Sequence, residues 1–268
     1  MNNTQKEVSM LSRRAFVALG ALGVSGLAFG TSGCGLVGND PNIFDVGVKI
    51  DVPKFGFQNP QTGLIEGMEV DIARELAKRL YGSPDAITIT GVNVTTRGAM
   101  LDTGVLDATL ATFTITESRK KSYNFTDPYH KDYIGILVKK TSGIKSFEDL
   151  DKKVVGVAQA ATTREKLEDL AREKEIKLRF SEYATYPEIK VALVSGRIDA
   201  FSVDSSILQG YLDDNTELLD TDLGEQEYGI ATSKKDPAFS KKINELLHEM
   251  MNDGSLDAIK EKWGLANG

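Results

Sequence analysis

Three hydroxyls and an arginine at the end of one apolar run are the residues of this chain best suited to hold a small anion. The run Ala108-Thr-Leu-Ala111 breaks into Thr112, Thr114 and Thr116, and Arg119 follows three residues later. Threonine hydroxyls are short-reach donors, and a guanidinium can offer a carboxylate two parallel hydrogen bonds. A second segment, Gly196-Arg-Ile-Asp-Ala-Phe-Ser-Val-Asp204, ends in a carboxylate at the same kind of strand end. One end can hold an anion and the other a cation, which together suit a zwitterion. A further anion position is offered by Thr162-Thr-Arg-Glu165, which reads as a capping box. Thr163 then lies in a first helical turn, where free N–H groups and the helix dipole favour negative charge.

These residues need strands and helices to place them, and the sequence alternates the two patterns. Strands are expected at 46–50, 87–90, 108–111, 134–138 and 154–157, with a turn at Pro60-Gln-Thr-Gly63. Val70, Ala73, Ala77 and Leu80 form a helical stripe, and helices are expected after Thr162, after the capping box Thr185-Tyr-Pro-Glu188, from Pro237 through Met251 and, after a break at Gly254, to Trp263. One unit recurs 92 residues on. Leu101-Asp-Thr-Gly-Val-Leu-Asp-Ala108 is echoed by Leu193-Val-Ser-Gly-Arg-Ile-Asp-Ala200, each a helix end, a glycine stop and an aliphatic-Asp-Ala entry into a strand. Two copies suggest two similar α/β lobes, with Asp107 and Asp199 as structural caps of their turns.

The chain has 268 residues and a formal charge of −7, with 41% apolar and 26% charged residues. That composition is ordinary for a globular protein and lacks the basic face a nucleic-acid partner needs. The two histidines, His130 and His248, lie far apart, and no cluster has metal-ligand spacing. Neither a P-loop nor a dinucleotide fingerprint is present. No metal and no cofactor are expected.

The first residues read as an export signal: Arg13-Arg14, an apolar stretch over 15–30, then Thr31-Ser-Gly-Cys34. Cys34 is the only cysteine, so no intramolecular disulfide is possible. A lone cysteine at a cleavage site resembles the lipobox of bacterial lipoproteins and implies lipidation, although Thr31 stands where such sites have a large aliphatic residue. Two acyl chains would anchor the protein stably to a membrane. Ser12-Arg-Arg-Ala-Phe16 also resembles a twin-arginine signal, a plain secretory signal being the other reading. Removal of residues 1–33 takes away three cations and one anion and leaves −9.

The body resembles the bacterial extracellular solute-binding proteins, family 3, that serve polar amino-acid ABC transporters. The matching residues are Gly67-Met-Glu-Val-Asp71, Thr116-Glu-Ser-Arg119, Asn124-Phe-Thr-Asp-Pro-Tyr129, Ser146-Phe-Glu-Asp-Leu150, Gly196-Arg-Ile-Asp-Ala200 with Asp204, and Lys262-Trp-Gly264. Thr95-Thr-Arg-Gly98, 111–116, 157–163 and 200–204 look closest to the aspartate/glutamate-binding branch. The resemblance implies a type II periplasmic-binding-protein-like α/β fold, two lobes joined by two hinge strands around a ligand cleft that closes by bending. Residues 1–33 would be the signal peptide and 34–42 a linker; lobe 1 would comprise 43–138 and 228–268, and lobe 2 residues 139–227. A monomer working with a permease and an ATPase is implied, on the outer side of the cell membrane.

On the same basis Arg119, aided by Thr112, Thr114 and Thr163, would take an α-carboxylate and Asp204 the α-ammonium. Lys49, Arg97 and Tyr186 would face the ligand side chain. Three cations against Asp204 leave two positive charges in excess, which an aspartate or glutamate would suit better than a neutral ligand. Glutamine or cysteine binding, a dehydratase-like enzyme on the same fold, and an adhesive or ligand-sensing role are the alternatives. An enzyme would need a poised acid or base in the cleft.

Overall fold

The computed structural model describes residues 40–221 and 223–266; the signal segment, Cys34 and most of the linker lie outside the described residues. Phe44–Lys49 is buried along its length apart from the half-buried Asp45 and lies inside a five-stranded sheet ordered Ile87–Val92, Phe44–Lys49, Ala108–Leu110, Ala231–Ser233, Tyr123–Phe125. Its pairings with Ile87–Val92 and Ala108–Leu110 are parallel, as expected for a strand covered on both sides. Met68–Tyr81 buries Met68, Val70, Ile72, Ala73, Leu76 and Ala77 and stops at Gly82, whose φ of 82° is the left-handed C-terminal turn. It packs with Pro237–Asn252 and Ser255–Lys262.

A second sheet is ordered Arg179–Tyr183, Val154–Ala158, Ala200–Asp204, His130–Lys139, Thr216–Leu218. Its first three strands run parallel, and the last two pair antiparallel to their neighbours. Thr163–Glu173 and Tyr186–Val194 pack on this sheet. The second helix carries the reciprocal Thr185–Glu188 capping box.

The sequence echo has a physical basis. Asp107 Oδ2 accepts the N–H of Asp45 at 3.2 Å, while the Asp107 N–H donates to the Asp45 carbonyl at 2.8 Å. Asp199 treats Val154 in the same way, with both bonds at 2.8 Å. Each aspartate therefore docks the start of its neighbouring strand, a task beyond capping its own turn.

The lobes join through a short antiparallel ribbon. Glu225–Tyr228 pairs with residues 133–130, the first part of the His130–Lys139 strand, whose remainder belongs to the second sheet. The chain therefore leaves the first sheet at about 126–133. A boundary after residue 138 falls instead at the far end of a second-sheet strand. The expected strand at 134–138 begins four residues too late because His130 and Asp132 are both buried polar residues, and polar residues mask the period-two pattern.

Candidate functional site

Lys49, Thr112 and Asp204 stand at or just past the carboxyl ends of strands from both sheets, where crevices form in open α/β architectures. Cross-lobe contacts bring them together. Arg119 sits in the short helix Glu117–Ser122, capped by Thr116 Oγ1, which accepts the Arg119 N–H at 3.1 Å. Its guanidinium donates to the Thr114 carbonyl at 2.7 Å and, across the cleft, to the Ala160 carbonyl at 3.0 Å. Burial and the nearby Arg97 push Arg119 down to about 9, with Asp204 opposing.

Arg97 lies in the first turn of a helix, Thr96–Asp102. Asn93 starts that helix, its side-chain oxygen accepting the N–H groups of Thr95 and Thr96 at 2.9 Å each. The buried Arg97 guanidinium donates to the carbonyls of Ala111 at 2.5 Å and Thr112 at 3.0 Å. Phe113 lies between the two arginines, its ring centroid 3.9 Å from Arg97 Cζ and 4.8 Å from Arg119 Cζ.

Thr112 adopts φ 44°, rare for a β-branched residue. Its N–H donates to Glu69 Oε1 at 2.6 Å, so that donor is already committed; its buried hydroxyl has no hydrogen-bond partner. Thr163 is buried at the start of its helix, but the neighbouring capping box does not form. The Thr162 hydroxyl instead donates to Gln226 Oε1 at 2.8 Å, reaching the ribbon between the lobes.

Lys49 does not extend to solvent. Its side chain is 0% exposed, with Nζ 3.0 Å from Asp51 Oδ1 and 4.2 Å above the Tyr186 ring centroid. Burial pulls its pKa below the ordinary lysine value while Asp51 opposes. Asp51 also accepts the Tyr186 N–H on Oδ2 at 3.3 Å, and its carbonyl accepts the Tyr211 hydroxyl. Phe55 packs against His130 and Tyr228 at 5.1 and 5.9 Å between ring centroids.

Asp204 is buried and accepts a hydrogen bond from the Tyr228 hydroxyl. The same hydroxyl lies 3.3 Å from Asp132 Oδ2. Asp132 is held by the Tyr133 N–H at 2.8 Å, the Ser206 N–H and the Ser206 hydroxyl. Burial, then the Asp132 charge, push Asp204 up to about 7.

The expected positive excess does not survive. Lys49, Arg97 and Arg119 face Asp51, Glu69 and Asp204, with Asp132 behind Asp204. Three cations thus meet at least three carboxylates. Sequence reading missed Glu69 because it lay inside a family motif, although a charged residue between Met68 and Val70 in an apolar turn was the available signal. Asp132 was marked by alternation, with Lys131 and Tyr133 exposed and His130, Asp132 and Ile134 buried.

Residues 44–266 match the family model described as bacterial extracellular solute-binding proteins, family 3. The ABC transporter glutamine-binding protein GlnH of Bacillus subtilis (strain 168) is 40% identical over 229 residues, 84% of this chain and 81% of that protein. A glutamine-binding protein of Geobacillus stearothermophilus is 37% identical over 201 residues, 74% of this chain and 75% of that protein. Among solved structures, an ancestral arginine-binding protein bound to glutamine superposes with a TM-score of 0.74 at 32% identity, covering 83% of this chain and 97% of that one.

Proposed function

The chain belongs to the bacterial extracellular solute-binding proteins, family 3, the extracytoplasmic amino-acid-binding components of ABC transporters, and we propose that its ligand is glutamine. The observation that carries this reading is the charge balance of the cleft. Burying a ligand charge without a counter-charge is costly. With Asp51 and Glu69 beside the cations, a second ligand carboxylate has no unmatched partner, whereas a neutral amide can use their polar groups. The names of the two relatives support the same reading.

In this reading Arg119, the Thr112 hydroxyl, Thr114 and the Thr163 helix start take the α-carboxylate, and Asp204 takes the α-ammonium. Lys49, Arg97 and Tyr186 line the side-chain end. The lobes close on the ligand by bending at the ribbon, and the permease recognises the closed form. Export with lipidation at Cys34 would hold the receptor at the membrane. Recovery of the mature chain in the membrane fraction, lost in Cys34→Ser, is the expected result for that anchor.

Calorimetry with glutamine, glutamate, aspartate, cysteine and arginine at pH 7 tests the ligand. Glutamine is expected to bind at roughly micromolar Kd or tighter, at least about tenfold tighter than glutamate, a gap of about 1.4 kcal/mol. A tie, or preference for an acidic or basic amino acid, overturns the glutamine reading.

A further inference from the structure

We propose that Glu69 is a specificity-determining residue, the buried charge that makes the site reject an acidic ligand side chain. The proposal rests on the binding function above and deepens it. Glu69 is the second residue of the Met68–Tyr81 helix and has no exposure to solvent. Its Oε1 accepts the Thr112 N–H at 2.6 Å and the Tyr129 hydroxyl at 2.5 Å, while Oε2 is buried with no hydrogen-bond partner. A carboxylate so placed stays ionised only with compensating cations. Those acting on it are Arg97 and Lys49, the two cations at the proposed side-chain end of the ligand.

Glu69 therefore absorbs positive charge that a second ligand carboxylate would otherwise meet. It also shares a peptide with Arg97. Arg97 holds the carbonyls of Ala111 and Thr112, Glu69 holds the N–H of Thr112, and Thr112 between them keeps φ 44°. Charge and shape are thus set by one clamp. The groups facing Glu69 are Lys49 from the Phe44–Lys49 strand, Arg97 from the Thr96–Asp102 helix and Tyr129 from the segment before the ribbon. Asp51 touches the group only through Lys49. Tyr129 is pushed well above the ordinary tyrosine value by burial and by Glu69, so it stays neutral at ordinary pH.

When glutamate replaces glutamine, one negative charge enters a balanced site. Balance returns if Glu69 takes a proton from solvent, its own pKa already raised by burial. Asp204 titrates as well, but it serves the α-ammonium common to both ligands and cancels in their ratio.

The test is calorimetry of L-glutamine and L-glutamate on the mature chain from pH 5.5 to 8, in buffers of different ionisation enthalpy, for wild type and Glu69→Gln. In wild type, glutamate should gain on glutamine by up to roughly tenfold per pH unit of acidification, with about one more proton taken up. In Glu69→Gln the ratio at pH 7 should move toward glutamate by at least about tenfold, and the difference in proton uptake should vanish. Equal losses for both ligands, with the ratio unmoved, would reduce Glu69 to a clamp on Thr112 and overturn the proposal. If the variant does not fold, wild type decides: equal proton uptake for the two ligands overturns it. The wild-type preference at pH 7 separately tests the glutamine reading, so a receptor that prefers glutamate yet shifts its ratio in Glu69→Gln refutes that reading alone.

Discussion

Replacing Asp132 with asparagine should tighten amino-acid binding at acid pH, although it removes a negative charge from the side of the cleft assigned to the α-ammonium. In the proposed binding mode the ammonium needs Asp204 ionised. Asp204 titrates at about 7, so below that pH affinity falls by roughly tenfold per unit. Part of the elevation comes from Asp132, linked to Asp204 through the Tyr228 hydroxyl. Across that hydroxyl the carboxylates are at most about 6 Å apart, and at an effective dielectric of about 20 two like charges there repel by roughly 3 kcal/mol. That is about two pKa units at full strength, or one to two after screening. The acid limb should move down by this amount, so at pH 6 the variant should bind roughly five- to tenfold tighter than wild type. Above pH 8, where Asp204 is ionised in both, the advantage should disappear. Calorimetric titration with glutamine from pH 5 to 8.5 measures both limbs. Superimposable limbs, or a variant weaker at every pH, would refute the coupling between the two carboxylates.

Tyr211→Phe removes the hydroxyl that bonds the Asp51 carbonyl from the other lobe. One net hydrogen bond of about 1 kcal/mol predicts a roughly fivefold faster ligand release in stopped flow, with little change in the association rate; a change confined to association would contradict this role. Gly67 has φ 143°, and a Cβ there would lie 2.1 Å from the Phe55 carbonyl oxygen. Gly67→Ala should therefore lower stability by roughly 2 kcal/mol or more, read as a lower urea midpoint. A midpoint within about 0.5 kcal/mol of wild type would show that the turn yields without cost.

The strand ends that frame the site were legible because apolar runs stop abruptly at hydroxyls or acids, as at Thr112 and Asp204. The duplicated α/β lobes were visible in the echo around Asp107 and Asp199, whose carboxylates perform the same docking in each sheet. The charge state of the cleft was harder to read, since it depends on groups distant in sequence. Asp51 turns back on Lys49, Glu69 reaches Thr112 from another helix, and Asp132 meets Asp204 through Tyr228. A count limited to the residues nearest the expected ligand assigns a surplus that buried neighbours cancel. The Thr162 cap failed for a related reason: a tertiary partner, Gln226, outcompeted the local one.

The ribbon between the lobes has a consequence beyond connection. Asp132 and Gln226 are paired across it, and Tyr228 lies two residues on. Asp132 reaches Asp204, the carboxylate proposed for the ammonium, through Tyr228, and Gln226 holds Thr162 beside the helix start proposed for the ligand carboxylate. In the proposed receptor, which bends at this ribbon, the flexing element and the groups tuning Asp204 are thus the same few residues. A twist of the ribbon would alter the Asp132–Tyr228–Asp204 spacing and the Thr162 tether together, so opening the lobes would also reset the proton affinity of Asp204. In such a receptor, letting go of the cargo and changing protonation become two readings of one torsion.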